Sequence, residues 1–230
     1  MKVNDYRRNI KMKKRNIAFI LFLTAGTIFA QIPQLYVGGR AGLGPVFGPD
    51  GTVLGGNLNP IQLDWQITEF LALGTGIGFY FGPETKYSAP KQTDPDSGIF
   101  ETYSGTETHM VFPLLVKATF RQRIFLMEFG GGLYVAPVLM NTRVERTNDN
   151  GYTVGEGYGK NLFSASNSPF GYMASGSFGV KIHRGIVFLD LGYLRDFSEV
   201  TVKFKNEKIG NHLWNILAIN VGYKHGFFPK

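Results

Sequence analysis

The sequence predicts an all-β fold, an eight-stranded antiparallel up-and-down transmembrane β-barrel. Three observations predict it. Eight stretches alternate large apolar residues with small or polar ones, and a period of two puts each set on its own side of a sheet. The connections between these stretches alternate long and short along the chain. The large apolar set carries no charge, as expected for a barrel whose outer surface faces lipid.

The N-terminal residues 1–30 predict an extension and a signal peptide that is cleaved after export, which leaves residues 31–230 as the barrel domain. Lys13-Lys14-Arg15 precede an apolar run that is shorter than the roughly 20 residues of a membrane-spanning helix. Met12 is a more natural start than Met1, because it opens a standard basic region. Most of the net charge of +7 belongs to this leader, so no nucleic-acid partner is expected.

The first three strands follow in order. One begins at Leu35, and a Gly- and Pro-rich loop over 44–57 separates it from the strand at Ile61. A short turn at residues 68–69 leads into the third strand, which starts at Leu71.

The central hairpin, His109 to Leu139, follows a long polar loop over 82–105. It holds strands four and five, with a tight basic turn at 121–123. A second long loop over 141–169 precedes strand six, which starts at Phe170.

The last two strands start at Val187 and Leu213, after a turn at 184–185 and a charged loop over 196–211. Bacterial outer-membrane barrels have short periplasmic turns and long external loops. We therefore expect both termini and the short turns in the periplasm and the four long loops outside. The residues expected to face lipid are Leu73, Ile77, Phe112, Leu114, Phe129, Leu133, Leu189 and Leu217.

One strand adds a family resemblance. Residues 110–117 read Met-Val-Phe-Pro-Leu-Leu-Val-Lys, which resembles the Pro-Leu-Leu-x-Lys strand of small PorT-like outer-membrane barrel domains. The general layout over 31–230 also resembles the OmpX and OmpW families. The OmpW resemblance implies passage of small hydrophobic compounds, and no family-specific ligand site is matched.

The small face of the strands predicts a layer of charges that closes the lumen. An eight-stranded barrel is just wide enough for side chains to fill it, so these groups are expected to pair. We expect Lys117 opposite Glu128, Lys181 near Asp190, and Arg40 within reach of Asp64. The layer comprises Arg40, Asp64, Lys117, Glu128, Lys181, Asp190 and Lys224.

The composition argues against a metal site, a cofactor site and a catalytic site. The chain has no Cys, and its four His lack the spacings of metal sites, so no cofactor and no metal are expected. His109 and His212 near the outer rim, with Ser104, Asp196 and Glu199 as possible neighbours, are the only candidates for catalysis. Exposed rim histidines are the default interpretation, and we expect no enzyme.

The leading hypothesis is therefore a structural or adhesin-like outer-membrane protein that acts through its long external loops. Its expected partners are the lipid bilayer, the barrel-assembly machinery and an extracellular ligand or host factor. Two alternatives stay open: a narrow channel for small hydrophobic solutes, and a soluble periplasmic β-barrel binding protein.

Overall fold

The computed structural model describes residues 34–48, 51–92, 99–148, 153–158, 162–166 and 168–227. The predicted signal peptide and the alternative start at Met12 lie outside these residues. No helix in the described ranges is long and apolar enough to cross a membrane.

The described chain is built from antiparallel strands, β1 to β13. Their bounds are β1 Gln34–Gly48, β2 Gly51–Gln66, β3 Leu71–Gln92, β4 Ile99–Gln122, β5 Phe125–Val135, β6 Val138–Asn148, β7 Thr153–Tyr158, β8 Phe163–Ser166, β9 Phe170–Ile182, β10 Gly185–Asp196, β11 Val200–Phe204, β12 Glu207–His212 and β13 Asn215–Phe227.

Eight of these strands close into a barrel. Their order is β3-β2-β1-β13-β10-β9-β5-β4, and β3 pairs with β4 to complete the ring. Closure leaves no unpaired edge in the ring, which removes the exposed backbone groups that an open sheet would present. The predicted eight-stranded antiparallel barrel is confirmed.

The period-two pattern decides which side chains point inward. In β5, Leu126 and Glu128 are buried, whereas Phe125, Met127 and Phe129 between them are exposed. The other barrel strands alternate in the same way, except that the alternation in β2 shifts by one residue near Pro60. Large apolar residues cover the outside, and the inside holds polar and charged residues together with apolar ones. The barrel therefore presents an apolar outer surface and a mixed interior.

Two short turns lie next to their expected places. The first consists of Arg123-Ile124 rather than residues 121–123, and the second of His183-Arg184 rather than 184–185. The first residue of each has a positive φ, 55° and 56°, as primed hairpin turns require. These placements change which inward residues face each other across the strands.

The first two predicted loops are largely strand. β1 continues to Gly48 and β2 starts at Gly51, so most of the expected loop over 44–57 pairs in a long hairpin. Pro60 did not prevent this, because it lies at an irregularity of the β2–β3 ladder, where no donor is needed. The expected loop over 82–105 is likewise mostly the extended β3–β4 hairpin.

The last two predicted loops also contain strands. The segment 141–169 holds most of β6 together with β7 and β8, and the segment 196–211 holds β11 and most of β12. β12, β11 and β8 form a separate three-stranded sheet. Polar and Gly-rich composition is typical of loops, but here the backbone groups are satisfied by ladder hydrogen bonds.

A break at Ala136-Pro137 divides the fifth barrel strand. Proline lacks the backbone N–H of a ladder residue, and β6 continues beyond it, paired with the outer part of β4. The carbonyl of Pro137 accepts a hydrogen bond from the backbone N–H of Met110 at 2.9 Å. β4 is thereby paired with β6 over residues 99–109 and with β5 over residues 112–122.

A second hydrophobic core lies at the end of the barrel where the long connections are. Side chains from β4, β8 and β11 are buried against each other there, separately from the barrel interior. Its buried members are Tyr103, Phe163, Val200, Val202 and Phe204. We call the structure around this core, built from the outer parts of β4 and β6 with β8, β11 and β12, the platform.

Candidate functional site

Six of the seven predicted lumen charges are buried inside the barrel. Four of them form one connected group. Lys117 Nζ lies 2.5 Å from Asp64 Oδ1, and Lys224 Nζ lies 3.0 Å from Asp64 Oδ2 and 2.6 Å from both oxygens of Glu128. Gln62 donates a further hydrogen bond to Asp64 at 3.0 Å. Lys224 therefore joins two carboxylates that no other described cation connects.

The remaining buried pair is formed by Arg40 and Asp190. The guanidinium donates to Asp190 Oδ2 at 2.5 Å, and the amide of Asn220 donates to the same oxygen at 2.9 Å. With this pair, the six buried groups comprise three cations and three carboxylates, so they are formally neutral as a set. Buried charges are tolerated in proteins when they are paired and hydrogen-bonded in this way.

The individual pairings differ from those expected. Lys117 lies opposite Gly130, and Glu128 lies opposite Thr119, because the two-residue turn at 123–124 is the centre of the hairpin. The sequence-based pairing of Lys117 with Glu128 was therefore wrong. Each instead reaches across the lumen to a side chain on a more distant strand.

Two further expectations were wrong for similar reasons. Lys181 lies opposite Ile186 rather than near Asp190, and its side chain is exposed at the turn end of the barrel. It therefore does not belong to the charged layer. Arg40 binds Asp190 and not Asp64, whose oxygens are taken by Lys117 and Lys224.

Apolar side chains lie on both sides of the charged layer. Toward the short turns, the inward cluster consists of Tyr36, Leu126, Ile186 and Phe188. Toward the platform, a larger cluster consists of Val46, Tyr80, Val111, Leu115, Tyr134, Ala136, Met173, Leu194, Trp214, Ile216 and Ala218. The charges are therefore placed between two apolar layers.

A second polar group lies above the larger apolar cluster. Glu107 Oε2 is 2.8 Å from His212 Nε2 and 3.5 Å from His109 Nε2, and the His109 ring stacks on Trp214 with centroids 3.4 Å apart. These contacts connect β4 with the segment that joins the platform to β13. We call Glu107, His109, His212 and Trp214 the Glu107 group. Its contacts link the platform to the barrel.

Asp196 belongs to the same region. Its Oδ1 accepts the hydroxyl of Tyr134 at 2.6 Å and its Oδ2 accepts the backbone N–H of Trp214 at 3.1 Å. It thereby ties the ends of β5, β10 and β13 together.

The interpretation of the candidate histidines as exposed rim residues was wrong for His109, whose side chain is buried. Glu107 and His109 are each only 1% exposed, and Ser104 is buried in the platform. Glu199 accepts a hydrogen bond from Asn211 at 2.9 Å instead of reaching a histidine. No group of three or more His, Asp or Glu in the described part of the chain could hold a metal ion. The absence of enzymatic activity stays a prediction.

All eight residues expected to face lipid lie on the outer side of the barrel. Leu114 is 66% exposed and Phe129 is 56% exposed, values far above those of a protein core. Phe112, Leu133, Leu189 and Leu217 are also exposed, whereas Leu73 and Ile77 are partly covered by their neighbours.

The platform carries its own polar contacts. Glu101 accepts a hydrogen bond from the Tyr103 hydroxyl at 2.5 Å and another from Arg146 Nε at 2.9 Å. Both hydrogen bonds favour the ionised form and lower the pKa of the Glu101 carboxyl below its ordinary value. Arg143 pairs with Glu156 at 2.6 Å on the exposed side of β6 and β7.

Sequence reasoning missed the Glu107 group and the platform core. Glu107 and His109 are two residues apart on one strand, which puts them on the same face, and this signal was available. His212 and Asp196 were expected near His109 from the sequence, whereas the contact of Glu107 with His212 depends on the fold.

No protein-family model and no curated protein matches this sequence. Among solved structures, it is similar to Neisserial surface protein A, at 14% identity and a TM-score of 0.44, over 84% of this chain and 97% of that one. It is also similar to Ail, the attachment invasion locus protein of Yersinia pestis, solved with the heparin analogue sucrose octasulfate. That match has 11% identity and a TM-score of 0.37, over 85% of this chain and 98% of that one.

A third similar structure is CarO of Acinetobacter baumannii, at 14% identity and a TM-score of 0.36, over 81% of this chain and 97% of that one. Identities and TM-scores at this level transfer no function to this chain. The resemblance to the PorT-like, OmpX and OmpW families stays a prediction.

Proposed function

We propose that this protein is an outer-membrane β-barrel with a closed lumen that binds a partner at the cell surface through its platform. The outer face supports the membrane location. Large apolar side chains such as Leu114, Phe129 and Leu133 are more than half exposed on it. A soluble barrel would present a polar outer face to water, whereas here the outer face is apolar and the charges of the wall strands are paired inside.

The interior supports a closed lumen. Removing water from an ion costs several kcal/mol, and the six buried charges offset part of this cost by pairing with each other. The apolar clusters on either side keep water from the pairs. A channel for solutes would need a continuous path through these three layers.

The platform core is the observation that carries the binding role. A barrel that served only as a membrane anchor would need no hydrophobic core outside its wall, yet Tyr103, Phe163 and Val202 are buried in one. Ordering the long connections costs conformational entropy, and a preorganised surface lowers the cost of binding. We infer an adhesin-like role with an extracellular ligand or host factor as the partner.

The test is adhesion of whole cells that display the protein. Val202→Asp places a charge in the platform core, and Thr201→Asp places the same charge at the neighbouring, partly exposed position. Cells displaying the parent should adhere to cultured epithelial cells more than cells without the protein. Val202→Asp should abolish the difference and Thr201→Asp should preserve most of it.

A second measurement, heat-modifiable gel mobility, distinguishes a loss of binding from a loss of the folded barrel. Both variants should still show the heat-modifiable gel mobility of a folded barrel, because the core that they affect lies outside the barrel wall. A parent that adheres no better than cells without the protein contradicts the binding role. A parent found in the soluble periplasmic fraction supports the alternative of a soluble binding protein.

A further inference from the structure

The turn end of the barrel opens into a cavity with concentrated positive charge. The cavity has a volume of about 130 Å³, and its lining includes Arg121, Arg123, Lys181 and Arg184 together with His183. Among the described residues that line it, none carries an acidic side chain. We call this cavity the vestibule.

The vestibule cations have no described carboxylate as a partner. The ion pairs among the described residues all lie in the lumen, in the Glu107 group or on the platform. Arg121 donates to Gln34 Oε1 at 3.1 Å and to Gln66 Oε1 at 3.0 Å, and both acceptors are neutral amides. These hydrogen bonds hold the Arg121 guanidinium in place, but no described carboxylate neutralises its charge.

The floor of the vestibule separates it from the carboxylates of the lumen. The Tyr36 ring belongs to this floor. The guanidinium carbon of Arg121 and Nζ of Lys224 each lie 5.4 Å from the centroid of the ring. Leu126 and Ile186 complete this floor, and both also line the cavity. Asp64 and Glu128 beyond it are already paired, so neither of these carboxylates neutralises the vestibule cations.

An apolar groove adjoins the vestibule on the outer face. It has a volume of about 330 Å³ and is lined by Phe120, Phe125, Met127 and Phe178 as well as Arg121. The two cavities share Arg121 and Phe125. A cationic site beside an apolar groove matches a molecule with an anionic head and an acyl chain.

We propose that the vestibule binds a phosphate group, and that an anionic phospholipid of the adjacent leaflet supplies it. Guanidinium groups match phosphate oxygens with two parallel hydrogen bonds, and the cavity has room for one tetrahedral anion. Free inorganic phosphate has the same chemistry and is the other possible source. The site is independent of the platform and of its ligand.

The test compares two variants with equal loss of charge. Lys181→Gln with Arg184→Gln removes two cations from the vestibule, and Lys203→Gln with Lys208→Gln removes two from the platform at the opposite end. Each cation near a phosphate-bearing surface contributes roughly a fivefold factor in affinity, so two should contribute about 25-fold. The platform variant should bind as the parent does.

Two measurements distinguish the sources of the phosphate. In a glucoside detergent, titration with inorganic phosphate should shift the backbone amide signals of Ile124, Ile186 and Gly226 in a saturable manner. In nanodiscs of phosphatidylcholine and phosphatidylglycerol, native mass spectrometry should find phosphatidylglycerol retained preferentially. The vestibule variant should lose both effects.

Saturable shifts without lipid preference support the site and assign it to free phosphate. Lipid preference without such shifts supports the site and assigns it to the headgroup. Absence of both effects in the parent, or an equal loss in the platform variant, overturns the proposal. Should the double variant not fold, Arg123→Asn is the substitute, because Asn tolerates the positive φ of that turn position.

Discussion

Lys224 is the residue whose replacement tests the charged layer most severely. Its ammonium contacts Asp64 at 3.0 Å and both oxygens of Glu128 at 2.6 Å, and its side chain is only 2% exposed. Lys224→Met removes this charge while keeping much of the apolar stem. Asp64 retains Lys117, but among the described side chains Glu128 retains only the Ser177 hydroxyl at 3.5 Å.

We expect Lys224→Met to lower the free energy of unfolding by about 3–5 kcal/mol, the typical cost of leaving one partner of a buried pair uncompensated. Adding Glu128→Gln removes the orphaned charge and should recover part of that loss. The exposed Lys208→Met should stay within about 0.5 kcal/mol of the parent. The assay is urea unfolding of the refolded barrel in lipid vesicles, followed by tryptophan fluorescence. A silent Lys224→Met, or a double variant no more stable than the single one, would refute the reasoning.

Three further predictions concern other parts of the molecule. Leu114→Arg or Phe129→Arg should destabilise the barrel in lipid by roughly 2–4 kcal/mol while Thr75→Ser is mild, and equal stabilities would mean that these positions do not face lipid. An epitope tag after Asn206, at the tip of the β11–β12 hairpin, should be detected on intact cells and one at Gln122 should not; the reverse labelling would invert the orientation. Because the pKa of Glu101 is lowered by Tyr103 and Arg146, its stabilisation of the platform is present at neutral pH and is lost as the pH falls through that lowered value. Arg146→Gln should raise the Glu101 pKa in an NMR titration, and an unchanged value would remove Arg146 from the account.

The sequence predicted the barrel because period-two alternation holds along the wall strands, with one shift in phase near Pro60 in β2. Inward residues such as Asp64 and Lys224 could be assigned to the correct face from this pattern alone. Their partners could not, because a turn displaced by one residue changes the register. Arg123 adopts positive φ although its residue type does not favour it, and His183 gives only the weak signal of a residue type enriched there.

The long connections were harder to predict for a different reason. Their Gly, Asn and Pro content is typical of loops, whereas their strands are stabilised by pairing partners distant in sequence. β8 pairs with β11, for example, through Val202 and Ala165. Non-local pairing of this kind leaves no periodic signal in a short segment.

Conductance in planar lipid bilayers tests the central claim, a membrane barrel closed by its own side chains, most directly. The parent protein should insert, as judged by its heat-modifiable mobility after recovery from the same lipid, and should show no steady conductance. Removing the charges as a matched pair, Lys224→Met with Glu128→Gln, should leave it closed, because the apolar clusters around Tyr36 and Tyr80 remain. Steady conductance by the inserted parent would contradict the account and favour a channel.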